Sequence, residues 1–80
     1  MNWRTHIASD PEVLAGKPVV KGTRLAVDFL LGLMAEGWTE QQVLDNYPHL
    51  SKEALQAVFA FSAECMREEA IYPTDARQAV

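Results

Sequence analysis

Gly16-Lys17-Pro18-Val19-Val20-Lys21-Gly22-Thr23-Arg24 is the least helical stretch of this chain, and its reading decides what the rest can form. Two glycines and a proline punctuate it, with a β-branched pair between them. Val19-Val20 and Leu25-Ala26-Val27 flank Lys21-Gly22-Thr23-Arg24, a pattern that predicts a hairpin or a paired edge segment. An isolated hairpin is marginal in water, so this one must pack on helices or on a second subunit. Just upstream, Asp10-Pro11 predicts one short turn, with Asp10 as its cap and Pro11 in the first position.

Everything after Val27 reads as helix. The first runs about Val27 to Glu36, apolar almost all round except for Asp28, Gly32 and Glu36, and stops at Gly37. The second starts at Thr39, which forms a capping box with Gln42 while Trp38 and Val43 make a hydrophobic staple, and it ends near Tyr47-Pro48. The third is capped by Ser51, runs about Lys52 to Ala70, and cannot continue through Pro73. The fold class expected is therefore mainly α, a three-helix helix-turn-helix domain preceded by a short β-hairpin or extended arm. Residues 1–70 are expected to form that single domain, and 71–80 a flexible C-terminal tail.

Eighty residues support one small core, burying about 60–65% of the unfolded surface. A composition 49% hydrophobic excludes a disordered chain. One cysteine, Cys65, cannot make an internal disulfide, and no apolar run approaches the length of a membrane span. The expected location is cytoplasmic, with no membrane partner. The net charge of −4 is uneven: residues 1–26 sum to +2 and residues 27–80 to −6. Any phosphate contact should run through the first third, and the acidic remainder suits a basic protein or is simply a solvated surface.

The third helix carries two apolar stripes. Leu55, Val58, Phe59, Ser62 and Met66 form one, and Ala54, Ala57, Phe61 and Cys65 the other. One thin core does not use both, which predicts a homodimer with Phe29 and Leu33 of the first helix and Ala57, Phe61 and Cys65 of the third at its interface. The alternative is a thick monomer core wrapped by the extended head.

Catalytic chemistry finds no constellation. His6 and His49 are far apart and lack partners at metal spacing, so no metal or cofactor is expected. Cys65 lies among apolar neighbours and acids, which raise a thiol's pKa. Ser9 and Ser62 have no motif around them, and Ser51 is a cap. Gly16-Lys17-Pro18 lacks the upstream glycine of a phosphate loop, and Pro18 removes an N–H that a phosphate would need. The expectation is a binding protein, not an enzyme.

For DNA, Lys52 and Gln56 lie where a helix-turn-helix would meet base edges, beside the unfavourable Glu53. Lys17, Lys21 and Arg24 are the candidate phosphate contacts. Doubled in a dimer, six such charges would give a log–log salt slope of about −5. The competing reading is structural: Arg24 forks into a carboxylate, with Asp28 or Glu36 as that partner.

Ile7, Asp10-Pro11, Gly16-Lys17-Pro18, Lys21-Gly22-Thr23-Arg24, Val27, Gly37, Leu44, Tyr47-Pro48 and Leu50 together resemble the bacterial family called "domain of unknown function four-three-three", over about residues 7–69. The resemblance implies a homeodomain-like helical fold with a short β element in front. It implies an antitoxin of the VapB-like kind that binds and silences a PIN-like nuclease toxin, with promoter DNA as an implied second partner. Alternatives are a stand-alone DNA-binding regulator and a dimeric adaptor with no nucleic-acid role. Ala15 stands where the family often has glycine, and Ala26 where it often has proline; both substitutions are expected to loosen the local backbone. Glu68, Glu69, Ile71, Tyr72 and Asp75 mix acids with apolar anchors and are the candidate toxin contacts, the alternative being a frayed terminus.

Overall fold

Val19-Val20 does pair, and on both edges. The computed structural model describes residues 1–69. In chain order it has a 3₁₀ turn at Trp3–Thr5, strand β1 (Ile7–Ala8), a 3₁₀ turn at Leu14–Gly16 and strand β2 (Val19–Val20). Helices α1 (Val27–Ala35), α2 (Glu40–Asn46) and α3 (Lys52–Glu69) follow. The strands are antiparallel, with Ile7 opposite Val20 and Ala8 opposite Val19. On its other edge Val19 bridges Ala26. There the Val20 N–H donates to the Leu25 carbonyl at 3.0 Å and the Val27 N–H to the Pro18 carbonyl at 2.9 Å. The expected pairing across Lys21–Arg24 thus exists as a single bridge, and the longer partner is β1, which no alternation in the sequence marks. Between them the turn closes through the Thr23 N–H to the Val20 carbonyl at 3.0 Å. Gly22 supplies the φ of +78° that the third position of a type II turn requires.

Local capping chemistry sets the helix ends. Beyond α1, the Gly37 N–H donates to Met34 and the Trp38 N–H to Leu33, the paired bonds of a Schellman motif, with Gly37 at φ +100°. At the start of α2 the Thr39 hydroxyl accepts from the Gln42 N–H at 3.1 Å, and the Gln42 side chain accepts from the Thr39 N–H at 2.8 Å. The Ser51 hydroxyl accepts from the Ala54 N–H at 3.0 Å at the head of α3. Asp10 caps its own turn, taking the Glu12 N–H at 2.9 Å. The structure is mainly helical, with a small antiparallel strand pair in front.

The core gathers Ile7, Val20, Val27, Leu30, Val43, Leu50, Ala54, Leu55, Ala57 and Val58, and Leu30, Val43, Leu55 and Val58 are fully out of solvent. It holds no charged or polar residue among the described residues. On α3 the inward face therefore takes from both predicted stripes. Leu55 and Val58 from one and Ala54 and Ala57 from the other are buried, while Phe59 and Met66 point out. This corrects one expectation: Ala57 is fully buried in the monomer and cannot reach a second subunit. Phe61 is half-buried, its ring edge-on to Trp3 at 4.7 Å. Arg4 stacks over Trp3 at 4.4 Å and reaches Glu64 at 3.6 Å, so the N-terminal turn covers part of α3.

Candidate functional site

The Val19–Ala26 bridge fixes a register in which Pro18 faces Val27, and one step further Lys17 comes to Asp28. The Lys17 ammonium donates to Asp28 Oδ2 at 3.1 Å. That hydrogen bond holds the Asp28 carboxyl below the usual aspartate range. Arg24 falls at the other end of the register, in the turn opposite Lys21. It is exposed and makes no hydrogen bond or ion pair among the described residues. Of the two readings of Arg24, the open one holds and the fork into Asp28 or Glu36 does not: Lys17, itself exposed, takes the Asp28 carboxylate, and Arg24 stays open.

Arg24 lines a groove of about 490 Å³ together with Leu14, Leu25, Phe29, Tyr47 and the Lys17–Asp28 pair. Phe29 is 44% exposed and Leu14 37%. The Phe29 ring stands edge-on to Tyr47 at 6.0 Å and 87°, which ties α1 to the end of α2. Leu14 is presented by three consecutive left-handed residues, Leu14 at φ +49°, Ala15 at +56° and Gly16 at +86°. Alanine at 15 therefore does not loosen this loop. It occupies a left-handed position that costs a non-glycine residue about 1–2 kcal/mol, which gives a physical reason for glycine there. At Ala26, with φ −71°, proline would fit the backbone and alanine does leave it freer.

The other candidates separate. Lys21 is exposed on the turn, and Lys52 and Gln56 are exposed at the start of α3 with Glu53 between them. Of Lys17, Lys21 and Arg24, Lys17 is ion-paired with Asp28 and all three are exposed. Leu33 is half-buried, and Cys65 lines a second, apolar groove of about 360 Å³ with Pro18, Leu31, Phe61 and Met66. Glu68 is exposed near the end of α3, Glu69 is its last residue, and Ile71, Tyr72 and Asp75 lie outside the described residues. No group of three or more His, Cys, Asp or Glu side chains among the described residues is placed to hold a metal. No helix among them is long and apolar enough to cross a membrane. Leu14 and Tyr47 carry little signal in the sequence: a leucine beside Ala15-Gly16 and an aromatic just before Pro48.

Residues 7–62, which include both walls of the groove, match the model of the family described as Protein of unknown function (DUF433). The chain belongs to the DUF433 family. A DUF433 member protein from Anabaena variabilis ATCC 29413, solved at 2.00 Å resolution, has a similar fold with a TM-score of 0.73 and 27% identity. The similarity covers 78% of this chain and 61% of that one. A protein of Sinorhizobium fredii (strain NBRC 101917 / NGR234), Uncharacterized protein y4eO, is 34% identical over 53 residues. That match takes in 66% of this chain but only 24% of the relative, so this DUF433 chain spans about a quarter of it.

Proposed function

We propose that this DUF433 chain is the antitoxin of a toxin–antitoxin pair, a cytoplasmic module that binds a PIN-like nuclease toxin and silences it. The kind of partner comes from the family resemblance. The observation that carries the binding reading is the apolar surface left outside a closed core. Leu14 and Phe29 stand in water in the groove that Arg24 also lines, while the core already buries ten residues. Exposed aromatic and arginine side chains gathered at one site are what protein interfaces use as anchors. Homodimerisation would have to use Phe29, Leu33, Phe61 and Cys65 without Ala57.

The test is co-expression of the tagged chain with the product of the adjacent gene. The expected result is a stable complex on size exclusion and restored growth of cells that the neighbour alone arrests. Absence of a complex together with continued arrest would overturn the reading.

A second reading, autoregulatory or stand-alone DNA binding through a helix-turn-helix, is favoured by the exposure of Lys52 and Gln56 at the start of α3 and of Lys21 and Arg24 on the turn. It requires a mobility shift with the chain's own upstream DNA that moderate salt abolishes. No shift at low salt would remove it.

A further inference from the structure

We infer that the groove between Leu14, Arg24, Phe29 and Tyr47 receives a partner segment that presents a carboxylate flanked by apolar side chains. This rests on the protein-binding reading above and specifies the chemistry of what is bound.

Charge makes the first argument. The groove is bordered by two cations and one anion, and Lys17 and Asp28 cancel each other at 3.1 Å. What remains is a single guanidinium with its whole fork of donors unused among the described residues. A carboxylate accepts two parallel bonds from that fork, a charge-assisted pairing stronger than a neutral hydrogen bond.

Lining is the second. Leu14, Leu25, Phe29 and Tyr47 line the same groove as Arg24 with apolar surface, and Leu14 is held there by two strained non-glycine residues. Nucleic-acid backbone would use Arg24 and Lys21 and leave Leu14 and Phe29 in water. An apolar side chain beside the carboxylate would cover both.

The test follows backbone and Arg24 side-chain NMR signals of the isotope-labelled chain during three titrations. The probes are the blocked peptide acetyl-Leu-Glu-Phe-amide, its glutamine counterpart, and a random-sequence DNA duplex. The glutamate peptide is expected to shift Arg24, Phe29 and Tyr47 together, the glutamine peptide to bind about tenfold more weakly, and Arg24→Gln to erase that difference. Arg24→Lys, which keeps the charge without the fork, should restore part of it. Equal shifts from both peptides would overturn the inference, as would shifts of Arg24 by DNA and by neither peptide.

Co-purification with the adjacent gene's product separates this result from the broader reading. A complex that Arg24→Gln leaves intact overturns the inference and leaves the antitoxin reading standing. A glutamate-selective groove with no such complex supports the inference and removes the antitoxin reading.

Discussion

Leu30 and Phe29 are neighbours on α1 and end in opposite states. Leu30 is fully buried in the cluster that holds Val43, Leu55 and Val58, whereas Phe29 is 44% exposed in the groove that Arg24 also lines. The inward faces of α1 and α3 close on each other, whereas the groove around Arg24 joins residues that lean on that core, Leu25 and Tyr47, to the exposed Leu14 and Phe29. The core defines which apolar side chains the fold needs. In the groove, Leu25 and Tyr47 still lean on that core, whereas Leu14 and Phe29 are presented to solvent by backbone strain and by ring contact.

The difference should be largest when each side is truncated. Leu55→Ala removes a fully buried side chain and should cost about 2–5 kcal/mol in denaturant unfolding. Phe29→Ala deletes more atoms and should cost about 1 kcal/mol or less, because only its half-covered edge against Tyr47 is lost. Equal losses would merge the two regions into one core and break the comparison.

Ala15→Gly probes the strain that presents Leu14. It should raise stability by up to ~1 kcal/mol, since glycine adopts φ +56° without the alanine penalty. A drop in the unfolding midpoint would show that the loop is held by something other than tolerated strain.

The smallest effect concerns the Lys17–Asp28 pair in the groove's lining. The Asp28 carboxyl titrates below its unfolded value because Lys17 donates to it, so the pair favours the fold above the unfolded carboxylate range. That contribution fades as pH falls through the lowered Asp28 value. Lys17→Ala should return the Asp28 titration, followed by NMR, toward the ordinary aspartate range. It should change the neutral-pH midpoint little, both groups being well exposed. An unmoved Asp28 titration would mean that Lys17 does not hold it.

Much of the frame was legible because its signals are local. Gly37, the Thr39–Gln42 box and the Ser51 cap each act within three or four residues, and all three end or start helices as their sequence predicts. Two things were not legible. β1 is only Ile7–Ala8, too short to alternate, and is defined by a partner eleven or more residues away. The rotation of α3 was undecided because both stripes are apolar, and only packing turned Ala57 in and Phe59 out. The groove was half visible. Arg24 stood out by charge, but which cation would take Asp28 depended on a register that a single bridge sets across the Lys21–Arg24 turn. The distant Tyr47 wall depended on the tertiary fold.

The most direct test of the central claim pairs two readouts on Phe29→Ala: the unfolding midpoint, and the affinity for the co-expressed partner by calorimetry. The expected result is a nearly unchanged midpoint with binding weakened at least ~10-fold, the loss typical of an interface anchor. Affinity equal to the parent's, or a loss of binding that simply follows a large loss of stability, would contradict it.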